Sequence, residues 1–83
     1  MELKSDVYVV HVASGKGRDI LEWVEGVFTS LDLAVDYIES HLEGCTYIPA
    51  NSYKNEQWSG LLDHEYTTMW IVEMTLNVPL MLK

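Results

Sequence analysis

Three histidines and a single cysteine are the side chains of this 83-residue sequence best suited to metal or nucleophilic chemistry. His41-x-x-x-Cys45 has the i, i+4 separation that puts two ligands on one helical face, but Gly44 ends such a helix, and the paired spacing of a structural zinc site is absent. Cys45 with His41 or His64 would supply the nucleophile and base of a thiol enzyme. No third orienting group or oxyanion-hole signature accompanies them. Ala13-Ser-Gly-Lys-Gly17 resembles a phosphate loop only superficially, because it lacks the spacing and the following helix that surround a phosphate with backbone N–H groups, and a hairpin turn accounts for it. Asp63 and Glu65 fit a turn as well as a carboxylate pair. These residues predict no catalytic centre, no metal site and no cofactor.

The carboxylates are more unusual. Thirteen Asp/Glu stand against five Lys/Arg, a formal net charge of -8, which argues against nucleic acid or an anionic membrane as direct partners. Between Arg18 and Lys54 there is no lysine or arginine, while Asp19, Glu22, Glu25, Asp32, Asp36, Glu39 and Glu43 fall in that window. Solvated surfaces usually mix signs. Asp32, Asp36, Glu39 and Glu43 follow i, i+4, i+7 and i+11, which on a helix forms a stripe about 100° around from the apolar one. Like charges at that spacing cost a few tenths of a kcal/mol each, and Glu43 lies at the unfavourable end of the helix dipole. Selection for stability alone would place lysines there. The stripe reads as a docking face for a basic protein or as a phosphate mimic, with a plain solvated face as the bland alternative. Its charges lie about 5.5 Å apart at the helical rise, sparser than the roughly 3.4 Å of one DNA strand. Tyr53 and Trp58, beside an irregular stretch, are the candidate aromatic anchors.

The elements that must position these residues follow from periodicity and punctuation. Val7-Tyr-Val-Val-His-Val-Ala13 is a strand ending at the turn cluster Ser14-Gly15-Lys16-Gly17. Ile20 to Thr29 is a second strand, antiparallel to the first, in which Gly26 breaks the alternation as a bulge or close backbone approach would. Thr29, three residues before Asp32, fits a capping box, and Leu31, Ala34, Val35, Ile38 and Leu42 form one apolar stripe ending at Gly44, a left-handed C-cap position. Cys45 to Asn55 reads as a long loop. Glu56 to Leu62 is a short strand, Asp63-His64-Glu65 a turn, and Tyr66 to Val78 the longest strand, with Trp70, Val72, Met74, Leu76 and Val78 on one side, ended by Pro79. The apolar tail Leu80-Met81-Leu82 must cover something.

The expected fold is α+β, a single domain over 1–83: a small antiparallel sheet of three to four strands with one helix packed on one face, ββαβ or ββαββ. Both sides of the first strand are apolar, although only one can meet the helix, so the loop, the tail or a partner must cover the second face. One cysteine permits no internal disulfide and favours a reducing, cytoplasmic location. No run approaches the roughly 20 apolar residues that span a bilayer.

Val7-Tyr-Val-Val-His11, then Glu25-Gly-Val-Phe-Thr-Ser30 and the helix Leu33-Ala-Val-Asp-Tyr-Ile38, resemble small uncharacterised domains of bacteria and their phages. In those, a strand of the type VYVL.H precedes GVFSS, a helix and a late strand. The resemblance covers residues 7–42, implies topology and carries no activity. In style, a small acidic domain without catalytic motifs is similar to phage-encoded inhibitors that block a basic nucleic-acid-binding surface of a host enzyme or defence complex. The expected function is thus a non-enzymatic protein-binding inhibitor, docking a basic partner through Asp32, Asp36, Glu39, Glu43, Glu22, Glu25, Tyr53 and Trp58. The alternatives are a small-ligand or metal-binding domain using the 45–55 loop, and a homo-oligomer, at its simplest a homodimer, joined through the last strand and tail.

Overall fold

β-branched and aromatic residues on both sides of the first and last strands favour long, doubly apolar strands, and the computed structural model, which describes residues 2–16 and 19–79, has them at the centre of its sheet. The elements are β1 (Glu2–Lys16), β2 (Asp19–Phe28), α1 (Leu31–His41), β3 (Glu43–Ile48), β4 (Gln57–Leu62) and β5 (Glu65–Pro79). They build one five-stranded sheet, order β2-β1-β5-β4-β3, in which every neighbouring pair is antiparallel. The fold is α+β as expected, but with five strands and the order ββαβββ. The additional strand is β3, whose Cys45 to Ile48 lies where the sequence suggested a loop. Of that expected loop, the stretch after Ile48 is irregular, up to Gln57. The tail Leu80–Lys83 lies outside the described residues.

α1 starts one residue later than the capping-box reading placed it. Ser30, not Thr29, is the N-cap, and its Oγ accepts from the Leu33 N–H at 3.2 Å. Leu42 is the C-cap, its N–H donating to the Ile38 carbonyl at 3.1 Å. Gly44 does adopt positive φ (64°), but as part of β3. Glu43 pairs with Leu61 and Thr46 with Ser59, so two residues, Gly44 and Cys45, face one on β4. That is a bulge with glycine in the left-handed position. A second bulge lies between β1 and β2, where Val10 opposes Gly26 but His11 opposes Val24, leaving Glu25 as the extra residue.

α1 lies across one face of the sheet and connects its two edge strands. Val10, Val12, Ala34, Ile38, Leu42, Trp58 and Met69 form the buried core between them, with Tyr8, Phe28, Val35, Cys45, Leu62 and Ile71 packed around it. Of the expected apolar stripe, Ala34, Ile38 and Leu42 are buried, whereas Leu31 is exposed. Gly60 sits beneath the end of α1 so closely that a Cβ there would lie 2.7 Å from the Glu43 carbonyl oxygen and 2.9 Å from Leu42 Cβ. Ser14 and Thr67, both buried, satisfy each other at 2.8 Å. Asp63 and His64 have φ of 51° and 67° and join the paired Leu62 and Glu65, the backbone of a two-residue type I′ hairpin.

Because side chains alternate along a strand, Val7, Val9, His11 and Ala13 of β1 project to the face opposite α1, with Tyr66, Thr68, Trp70, Val72 and Met74 of β5 beside them. The apolar row of β5 therefore faces away from the helix. Met69 and Ile71, one residue out of step, are the ones that reach the core.

Candidate functional site

Three of the four stripe carboxylates lie on the helix. Asp32, Asp36 and Glu39 are exposed along α1, on turns whose other side carries the buried Ala34 and Ile38. Glu43 does not continue the stripe on the helix, since α1 ends at His41. It is the exposed first residue of β3. Asp32 lies in the first turn, where the helix dipole favours a negative charge.

Glu25 is the most tightly held acid. The bulge turns it out of the strand alternation, and Tyr37 of α1 donates its hydroxyl hydrogen to Glu25 Oε1 at 2.6 Å, while Trp23 Nε1 donates to Oε2. The hydrogen bonds from Tyr37 and then Trp23 lower the pKa of the carboxyl below its ordinary value, so the group is anionic at neutral pH. Burial, followed by the hydrogen bond to Glu25, pushes the Tyr37 phenol up to about 12. The Tyr37 ring is packed between Phe28, at 5.3 Å between centroids, and His41, stacked at 3.9 Å. His41 Nδ1 lies 2.8 Å from the Tyr37 carbonyl and 3.0 Å from Ser40 Oγ. His41 thus closes the end of its own helix.

The remaining candidates lie apart from this cluster. Glu22 is exposed on β2 and pairs with Ala13, on the sheet face opposite α1. Tyr53 is 94% exposed. Its loop is shaped by Asn51, whose Oδ1 accepts from the N–H groups of Tyr53 and Lys54 at 2.8 and 2.9 Å. Trp58 is only 4% exposed and belongs to the core, where Tyr47 packs against it at 5.3 Å, so it does not project from the surface as an anchor would. Tyr47 in turn donates to Glu56 Oε2 at 2.7 Å. The eight candidate residues therefore do not share one face. Asp32, Asp36 and Glu39 share the helix, Glu25 is tied to that helix through Tyr37, and Glu22 looks the other way.

Cysteine and histidine chemistry finds little support in the geometry. Burial, and then the nearby Glu39, raise the pKa of the Cys45 thiol above its ordinary value, which disfavours the nucleophilic thiolate. His41 is engaged on α1, and His64 sits in the exposed β4–β5 turn. Among the described residues, no group of three or more His, Cys, Asp or Glu is placed to hold a metal ion. Nor, among them, is any helix long and apolar enough to cross a membrane.

Tyr37 escaped the sequence reading. The only hint was Gly26, whose break in the alternation flags a bulge next to Glu25. The site and fold together define a small α+β domain with an acidic helix and a pinned strand carboxylate. Compared with family models, characterised proteins and solved structures, the chain has no match.

Proposed function

We propose that this domain is a non-enzymatic protein-binding module that docks a basic surface of a partner protein through Asp32, Asp36 and Glu39 of α1, with Glu25 adjoining and Glu43 lying beyond the end of the helix on the opposite face of the sheet. The partner class that fits is a nucleic-acid-binding enzyme or defence complex, which occupancy of its basic groove would inhibit. The observation that carries this reading is the exposure of three carboxylates along α1, in a stretch with no lysine or arginine from Arg18 to Lys54. Glu25 adds a charge whose position is fixed before any encounter, so ordering it costs nothing further on binding. Tyr53, exposed on a loop shaped by Asn51, lies apart from α1 and is an aromatic available for a separate contact.

Association driven this way is electrostatically steered and slows as salt shortens the Debye length from about 10 Å at 0.1 M to about 3 Å at 1 M. The test is affinity capture from the native host with the wild-type chain and with the double reversal Asp36→Lys/Glu39→Lys, followed by binding kinetics against the captured protein at rising salt. The expected result is a partner with a basic surface whose on-rate falls by at least tenfold in the double variant. A partner bound equally well by both chains would remove α1 as the docking face.

A further inference from the structure

Among the described residues no helix or strand packs on the side of the sheet away from α1, where, of the apolar residues, Val9 alone is buried, among its own sheet neighbours. Val7, Val9, His11 and Ala13 of β1 and Trp70, Val72 and Met74 of β5 form the centre of that side, where His11 and Trp70 stack with ring centroids 5.6 Å apart. Val24 and Val27 of β2 extend it on one side, pairing with His11 and Val9, and are 53% and 60% exposed. Leu61 and Tyr66 extend it on the other side. Its two carboxylates, Glu22 on β2 and Glu43 on β3, stand on opposite edge strands. A chain of net charge -8 has thus kept carboxylates off the centre of one broad face, with Lys54 beside Trp70 at its margin, an arrangement that costs solubility in a monomer.

We infer that a second copy of this chain covers this face, the two sheets packing face to face as a sandwich with the helices outermost. Charge selects that occupant. A basic protein would find no anion at the centre of the face, and an anionic membrane is repelled by the chain as a whole. A second copy presents the same uncharged centre, and the face-to-face arrangement puts the acidic helices of the two copies on opposite outer surfaces, as far apart as two chains of like charge can place them. The two-fold axis then lies in the interface, and each residue meets its counterpart's surroundings reciprocally. Area permits it: β1, β2 and β5 at about 4.8 Å spacing over Val7 to Gly15 at about 3.4 Å per residue, with the six-residue β3 and β4 beside one end, give a plan area of roughly 550 Å², at the lower end of what a specific interface buries per partner. Edge-to-edge pairing is the less favoured route, because β2 and β3 each carry a bulge and an exposed acid.

The experiment is sedimentation velocity with light scattering from micromolar to submillimolar protein, on the wild type and on Val24→Lys, Val27→Lys and Leu33→Lys. All three positions are exposed in the single chain, so each lysine is tolerated by its fold, which far-ultraviolet circular dichroism checks. Leu33, 52% exposed on α1, controls for the change of charge away from the sheet. The expected result is a wild-type and Leu33→Lys mass of twice 9.5 kDa, with dissociation shifted at least tenfold to higher concentration in both valine variants. A wild type that stays monomeric overturns the inference, as do valine variants that dimerise like the wild type or a Leu33→Lys variant that dissociates with them. Should one valine variant fail to fold, the other and the wild-type mass decide.

Discussion

Replacing Tyr37 with Phe removes one hydroxyl and leaves the ring between Phe28 and His41, so its effect isolates the hydrogen bond to Glu25. A hydrogen bond to a charged group contributes roughly 1.5–3 kcal/mol when buried. Here both partners are half-exposed, and solvent screening reduces that to about 1 kcal/mol. In a domain of this size such a loss lowers Tm by about 4–8 °C. The pH dependence is more diagnostic than the size. Glu25 has its pKa lowered by folding, so its contribution is complete above the unfolded value of about 4.3 and disappears as pH falls through the folded value. Tyr37 has its pKa raised, to about 12, so its contribution is complete below about 10 and is lost as pH rises through the folded value. The difference between wild type and Tyr37→Phe should therefore be level from about pH 5 to 10 and shrink on both sides. Urea unfolding followed by tryptophan fluorescence, at one fixed protein concentration and at pH 3 and 7, measures it. Trp23 still donates to Glu25 in the variant, so some acid dependence survives in both proteins. A loss that is equal at pH 3 and pH 7, or no loss at pH 7, would refute the assignment of Tyr37 as the donor that holds Glu25 ionised.

The remaining predictions concern the backbone. Gly60→Ala pushes a methyl group against the Glu43 carbonyl and Leu42 at the end of α1, and should cost about 1–3 kcal/mol in equilibrium unfolding, whereas the same change at an open turn costs far less. Replacing Asp63-His64 by Asn-Gly supplies residues suited to the two positive φ angles of the β4–β5 hairpin and should raise stability by about 0.5–1 kcal/mol, read as a higher Tm.

How much of this was legible in the sequence depends on what each segment touches. α1 could be read because Ala34, Ile38 and Leu42 recur on one side and are buried by one surface. β1 and β5 could be read as strands from their β-branched and aromatic residues, but not which of their two apolar rows meets the helix, since both rows are apolar. β3 was hidden for a physical reason. As a short edge strand it is mostly exposed on both faces, so no alternation is imposed on Glu43 to Ile48, and the bulge at Gly44 disrupts what register remains. Among the candidate site residues, the exposure of Asp32, Asp36 and Glu39 follows from their angular offset around α1. The placement of Glu43 does not, because the helix ends at His41. Trp58 looked exposed beside an irregular segment, yet the pairing of β4 with β5 carries it into the core opposite Met69. The Glu25–Tyr37 bond joins residues 12 apart across a bulge and a helix start, which no local pattern encodes.

The pairing of β1 with β5 runs from Ser14 opposite Thr67 to Glu2 opposite Pro79, so the middle of the sheet is sewn from the first and last described segments. During synthesis, the β1–β2 hairpin and α1 can emerge from the ribosome and fold locally, but the seam that receives β4, and through it β3, is missing until the final strand appears. Closure is a late event with a large sequence separation, which favours slow folding and leaves the edges of β1 and β4 unpaired in the nascent chain. For this domain, the period of greatest exposure to misassembly or proteolysis is the interval before residues 65–79 are released.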